Sequence, residues 1–334
     1  MTISNDILSS TLRILRDNEI DNLHRTTPFL QRIEELGGVI EEDGGQKIDH
    51  PVLLVEHSNV VELASGYEPV GLSTANPART ASYEWCDFTA PVVITKKEDL
   101  SNKGPRAIIR IAEFRLKSVM GMLKREAEKE LIAGSSTVLT ELETLNGFGT
   151  ATGWFEELAF GSQANTVGGL VKSTYVTSWQ NQVADAASNF ATNGLRKMSN
   201  LHINAMTYAP EGDMDLVLAS PLSYELYKDT LQSQERYIDE KAMLDGGRLS
   251  LAYSGARMYV EPNLGFTAST GDKVSMYFIN SKLLNLYYDK DAKYELEDFA
   301  KVSGYASRSA NVYVRMQIVA SHLAAHGVLL NGEA

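Results

Sequence analysis

Between Gly104 and Gly134 the chain reads GPRAIIRIAEFRLKSVMGMLKREAEKELIAG. Pro105 suits the first helical turn, where an N–H would have no intrahelical partner, and Gly134 suits a helix stop. Ile108, Ala112, Leu116, Val119, Leu123, Ala127 and Leu131 recur at steps of three and four, so they share one face. At 1.5 Å per residue the helix reaches roughly 40 Å. The spacing therefore predicts one long rod with its charges on the outer side, and the rest of the chain must be built along it.

What precedes the rod has a different period. Residues 1–36 read as helical, with Ile7, Leu8, Leu12, Leu15 and Leu23 on an amphipathic arm, and they end at Gly37-Gly38. From Val39 to Thr95 the pattern is extended: VLLVE, NVVEL and, after the Gly/Pro-punctuated GYEPVGLSTANPA, SYEWCDFTAPVVIT. The expectation is a long two-stranded excursion, out and back. Leu53, Leu54, Val60, Val61, Leu63, Tyr67, Tyr83, Trp85 and Phe88 ride on it, and so many large apolar groups call for a covering surface, which a neighbouring chain would supply.

After the rod, residues 135–165 are turn-rich. SWQNQVADAASNFATNG reads as helix, MDLVLAS as strand and PLSYELYKDTLQSQERYI as helix. VSMYFIN, LLNLYYD and ANVYVRMQIVASHLAAHGVLL read as strands. The class is α+β, without βαβαβ regularity and without internal repeats. No run of eighteen apolar residues is present, so no helical membrane span is expected, and the charged N-terminus is not a signal peptide. The single cysteine, Cys86, excludes an intrachain disulfide and a Cys-based metal site, which fits synthesis in a reducing cytoplasm. A net charge of −12 argues against a chain whose main work is gripping phosphate backbones.

Candidate chemistry is sparse. GFGTATG (147–153) follows the polar LTELETLN rather than a buried strand, so it reads as a loop and not a dinucleotide site. No P-loop lysine pattern and no Gly-x-Ser-x-Gly elbow occurs. Asp213 and Asp215 are hard oxygen ligands at a spacing that suits a divalent cation, but PEGDMDLVLAS reads better as a turn entering a strand. His322 and His326 are four apart in a β-rich context and read as packed or surface histidines. Glu235, Asp239 and Glu240 in QERYIDE have the make-up of paired acid–base carboxylates, without any nucleophile beside them. Neither a cofactor nor a metal site is expected.

The order of parts carries more than any motif. NTVGGLVKSTYVTSWQNQ (165–182) resembles a Gly-Gly-Ile/Leu segment followed by an aromatic pair and Trp-Arg/Gln-Asn. YELYKDTLQSQERYIDE, then LSLAYSGARMYVEPN, resembles a Tyr-bearing helix leading to a strand pair that ends in Asp/Glu-Pro-Asn. AAHGVLLNG resembles a small-polar-Gly-Val-Leu finish. With the arm, the excursion and the rod before them, these segments resemble the major capsid proteins of tailed bacteriophages over about residues 30–334. The fold so implied is the Hong Kong ninety-seven type, with an N-terminal arm (1–38), an extended β-hairpin loop (39–103), a peripheral domain with its spine helix (104–164), an axial domain (165–290) and a β-rich return (291–334).

The resemblance implies a non-enzymatic virion protein, made in the host bacterial cytoplasm, that self-assembles into hexamers and pentamers of an icosahedral head around double-stranded DNA. Portal and scaffolding proteins, and a decoration protein, are the implied partners, with DNA held by containment and no membrane involved. Residues 1–38 are too few for a typical fused scaffolding segment, so either a separate scaffold exists or a segment has been removed. Candidate interface residues are Tyr67, Arg79, Tyr83, Trp85, Arg110, Arg115, Glu235, Arg236 and Asp239. Asp49, Glu56, Glu62, Glu68, Glu84 and Asp87 face only Arg79 between residues 48 and 95, which suits a basic neighbour such as Arg106, Arg110, Arg115 or Lys117 on another copy's spine helix. Some family members join subunits through a loop lysine; residues 48–95 contain none, so no such bond is expected. The competing readings are an encapsulin-like nanocompartment shell and, more distantly, an α+β enzyme using Asp213/Asp215 or Glu235/Asp239.

Overall fold

A computed structural model describes residues 27–55, 62, 66, 77–101, 105–133, 166–176, 178–187, 189–208, 214–233, 251–265 and 273–332. In chain order it begins with α1 (Pro28–Glu35), β1 (Val39–Glu42), β2 (Lys47–Leu53), β3 (Ala78–Glu84), β4 (Cys86–Thr95), α2 (Lys96–Ser101) and α3 (Pro105–Ala133). Two short strands, β5 (Thr166–Val167) and β6 (Leu170–Val171), precede β7 (Gln182–Asp185), α4 (Leu195–Tyr208), β8 (Leu216–Ala219) and α5 (Pro221–Ser233). Then follow β9 (Leu251–Tyr253), β10 (Ala256–Val260), β11 (Val274–Ile279), β12 (Leu284–Asp289), β13 (Glu295–Leu296), β14 (Ala300–Lys301), β15 (Ser307–Ala320) and β16 (Gly327–Leu330).

The chain divides into two units. The larger, residues 28–86, 128–290 and 316–334, is built on a six-stranded mixed sheet in the order β7-β16-β11-β8-β10-β9. β8, β11 and β16 are buried along their whole length, as strands covered on both faces must be. Met198, Leu201 and Ala205 of α4 and Tyr227 of α5 pack with Val217, Ala219, Met276, Phe278 and Leu329 of the sheet in one core. Each large apolar side chain removed from water there contributes about 1.5–3 kcal/mol before entropy is counted. In the same unit β1 pairs parallel with β12, which pairs antiparallel with residues 316–320 of β15.

The smaller unit comprises residues 87–127 and 291–315 among those described. There β4, β13 and β14 all pair with β15. Phe88, Val92 and Ile94 alternate inward along β4, and Thr89 Oγ1 donates to the Val312 carbonyl at 3.0 Å. Asp87 pairs with Arg315 at 3.2 Å.

The rod is as expected in extent, and Leu123, Ala127 and Leu131 are buried on the predicted face. Its charges are not all outside, because Glu128 and Glu130 are buried as well. SYEWCDFTAPVVIT is two strands rather than one, broken at Trp85, and the outward strand β2 starts at Lys47, ahead of VLLVE. SWQNQVADAASNFATNG is not a helix. Residues 182–185 form β7, paired in parallel with β16 from Gln182↔Gly327 to Asp185↔Leu330, and a five-residue π-turn (Phe190–Gly194) leads into α4. Alanine-rich local composition is overridden there by a sheet partner far along the chain. GFGTATG, NVVEL apart from Glu62, and residues 135–165 lie outside the described residues.

Candidate assembly interface

The excursion is a β-hairpin. β2 and β3 pair antiparallel in the register Lys47↔Glu84, Ile48↔Tyr83, Asp49↔Ser82, His50↔Ala81, Pro51↔Thr80, Val52↔Arg79 and Leu53↔Ala78. Alternation sets its faces: Ile48, Val52, Ala81 and Tyr83 are buried, whereas Lys47, Asp49, Leu53 and Glu84 point outward. Pro51 has no N–H to give, which suits β2, paired on one side only. Across the foot Lys47 and Glu84 form an exposed ion pair at 2.7 Å, which raises the Lys47 pKa and lowers that of Glu84 by hydrogen bonding and charge attraction. Ser82 Oγ donates to Asp49 beside it.

The segment 165–182, singled out by resemblance, holds this foot in place. Gly168 (φ +55°) and Gly169 (φ +75°) both have the left-handed backbone of a two-residue turn between β5 and β6, whose pairing is Val167↔Leu170. The turn lies flat against β3: the Ser82 N–H donates to the Gly168 carbonyl at 2.9 Å. A Cβ on Gly168 would stand 2.9 Å from the Ala81 Cβ and 3.0 Å from the Tyr83 ring. Trp179 is wholly buried and its Nε1 donates to the Val167 carbonyl at 3.3 Å. Ser178 Oγ donates to the Leu54 carbonyl at 3.0 Å, and Arg79 Nε to the Tyr175 hydroxyl at 3.3 Å. Lys172, also buried, donates to Asn181 Oδ1 at 3.3 Å. On the outside of the same clamp sit Leu53 (76% exposed), Val55 (40%), Val171 (38%) and Val176 (46%). Four apolar side chains are presented to water beside the hairpin, Leu53 at the end of its paired strands away from Lys47 and Glu84, and they form a surface suited to another chain.

Of the residues expected to meet another copy, Arg79 belongs to the clamp. Tyr83 and Trp85 lie in the protomer's own interior, with the Tyr83 hydroxyl donating to the Ala320 carbonyl at 3.2 Å. Arg115 is engaged at home: it donates to Glu98 and to the Val93 carbonyl. That guanidinium, with hydrogen bonds from Thr95, holds the Glu98 carboxyl down to about 2. Arg110 falls on α3, but its side chain lies outside the described residues, as do Tyr67, Glu235, Arg236 and Asp239.

The residues considered for chemistry have structural work. Asp215 Oδ1 accepts from the Ser281 N–H at 2.8 Å and Oδ2 from the Ser281 hydroxyl, closing the turn before β8; Asp213 lies outside the described residues. His326 is fully buried, its Nδ1 accepting from the Asn280 N–H at 3.3 Å, and burial followed by the charge of His322 pushes its pKa down to about 3. Neutral at physiological pH, it is a core histidine. Among the described residues no three His, Cys, Asp or Glu side chains converge as a metal site.

No protein-family model matches the chain, and no curated protein matches it in sequence. Solved structures do. The cyanophage A-1(L) capsid subunit superposes with a TM-score of 0.62 at 13% identity, over 95% of this chain and 97% of that one. The capsid of the native GTA particle gives 0.61 at 13% identity, with 95% of each chain covered. The holo-SrpI encapsulin of Synechococcus elongatus gives 0.57 at 11% identity, over 97% of this chain and 94% of that one. The fold is thus the α+β Hong Kong ninety-seven-like capsid fold expected from the order of the segments.

Proposed function

We propose that this chain is a shell subunit, the major capsid protein of a tailed bacteriophage. The observation that carries the reading is likeness along the whole length, 95% of this chain against 97% of a phage capsid subunit, with neither chain having a large unmatched part. The exposed apolar side chains beside the hairpin support it, because a free monomer gains nothing from presenting Leu53 to water. In this reading residues 39–103 are the extended loop, 104–164 the peripheral domain with its spine helix, 165–290 the axial domain and 291–334 the return. Copies assemble as hexamers and pentamers, and Tyr67, Arg79, Arg110, Glu235, Arg236 and Asp239 meet neighbours. Tyr83, Trp85 and Arg115 act one step back, by fixing the shapes that meet. The head encloses double-stranded DNA by containment, which a chain of net charge −12 does without gripping it. Portal, scaffolding and decoration proteins are its partners; assembly takes place in the host cytoplasm and the product is the virion. It catalyses no reaction.

The encapsulin likeness favours one second reading, a nanocompartment shell around protein cargo. Negative-stain microscopy of the expressed chain, alone and with a co-expressed scaffolding protein, separates the two. Shells that need the scaffold are expected for the capsid. Small uniform shells from the chain alone, filled with protein, would establish the nanocompartment. A monodisperse monomer under both conditions would remove both.

A further inference from the structure

Two glutamates face each other inside the larger unit. Glu128 of α3 and Glu261, just after β10, are both fully buried, and their carboxyl groups interact with one another. Glu128 Oε2 accepts from the Leu30 N–H at 3.2 Å, with a further backbone bond from Phe29, so it caps the opening turn of α1. Glu261 Oε1 accepts from the backbone N–H and the side-chain Nδ2 of Asn263, at 3.1 and 2.7 Å. The remaining oxygens, Glu128 Oε1 and Glu261 Oε2, are buried without a donor from any other described side chain. Two carboxylates cannot donate to one another, so a hydrogen bond between these oxygens requires a proton on one of them.

We propose that Glu128 and Glu261 form a proton-dependent latch, in which one shared proton fastens α1 to α3 and β10 and its loss releases the first turn of α1. What α1 contributes is apolar: Phe29, Leu30 and Ile33 are buried, so the latch governs whether that face stays covered. The charged groups around the pair do not substitute for the proton. On α1, Arg32 lies over the Tyr259 ring at 4.3 Å and pairs with Glu35, while Glu34 and Glu35 are exposed. On α3, Lys124 and Lys129 are exposed, Arg125 pairs with Glu126 at 3.1 Å, and Glu130, two residues on, points to another side of the helix. On β10, Arg257 is exposed and the Tyr259 ring lies under Arg32.

Burial, and then the charge of Glu261, push the Glu128 carboxyl up to about 10; burial also raises Glu261. A carboxyl raised in the closed state stabilises that state fully below its released pKa, near 4.5. The stabilisation fades as pH rises toward the closed-state value. Acid therefore closes the latch and alkali opens it, and the equilibrium for opening rises by about tenfold per pH unit in between.

Hydrogen exchange of the Phe29–Glu35 amides in the full, unassembled chain tests this between pH 6 and pH 9. Base-catalysed exchange alone makes the logarithm of the rate climb with pH at a slope of about one. Opening coupled to the loss of one proton adds a second unit, for a slope of about two. Glu128→Gln supplies an amide donor to Glu261 and keeps an acceptor for Leu30, so its slope is expected to return to about one. A wild-type slope of one overturns the latch whatever becomes of the variant, and an undiminished slope in Glu128→Gln overturns it equally. The proposal concerns the protomer alone and stands apart from the shell reading.

Discussion

Gly168 and Gly169 sit side by side in one turn and separate two effects that are usually confounded. Both have positive φ, so a side chain at either position carries backbone strain of about 1–2 kcal/mol. Nothing stands within 4 Å of a Cβ on Gly169, whereas one on Gly168 would meet Ala81 and Tyr83 at the foot of the hairpin. Gly169→Ala is thus expected to lose about 1–2 kcal/mol in a denaturant titration, and Gly168→Ala about 1–3 kcal/mol more from overpacking. Equal losses would mean that the turn does not lie against β3. The sequence made this pair visible only through resemblance to capsid proteins, since composition cannot say which strand a turn will touch. The same limit applies to Tyr83 and Trp85. Alternation places Tyr83 on one face of a strand, but burial by the protomer and burial by a neighbour leave the same pattern. Glu128 was invisible for another reason: a glutamate in a helix is ordinarily solvated, and only the tertiary approach of Glu261 gives it a different role.

At the scale of elements, the long helix was legible because its signals are local, whereas the strand pair β9–β10 was expected only through the resemblance. Pro105 and a three-four apolar stripe need no knowledge of distant partners. β7 was not legible, because its strand character comes from pairing with β16 at the far end of the chain. The short helix α2 shows a local signal used fully. Thr95-Lys-Lys-Glu98 is a capping sequence, and Glu98 Oε2 accepts from the Thr95 N–H at 3.0 Å and from its hydroxyl at 2.8 Å while Oε1 takes Arg115. The Glu98 carboxyl is held at about 2, below its ordinary 4.5, so its contribution is whole above pH 4.5 and drains away as pH falls toward 2. The pair is about one-third exposed, so screening keeps that contribution small. Comparing melting temperatures of wild type and Glu98→Gln from pH 7 down to pH 2 should show a modest gap that closes through this window. A gap that stays constant would mean that the carboxylate's charge plays no part.

For the whole molecule, what could be read in advance was the α+β capsid-type fold, from the order of hairpin, rod and mixed sheet, and solved structures share that fold at 13% identity or less. Sequence identity has drained away while the fold has not, because a fold constrains where apolar and polar surfaces lie more than which side chains line them. One chemical difference can still be read directly. A covalent bond between neighbouring subunits through the extended loop needs an amine near the part of the hairpin that reaches outward. Residues 48–95 hold no lysine, and the nearest, Lys47, stands at the foot of the hairpin and pairs with Glu84 at 2.7 Å. Held there, its amine is protonated and therefore a poor nucleophile, with its pKa raised rather than lowered. On the proposed shell reading, neighbouring subunits are then joined by no covalent bond from residues 48–95. Mature particles boiled in detergent are accordingly expected to run as a single monomer band on a denaturing gel. A ladder of dimers, trimers and higher multimers that survives boiling and reduction would show that a lysine elsewhere in the chain reaches a neighbour.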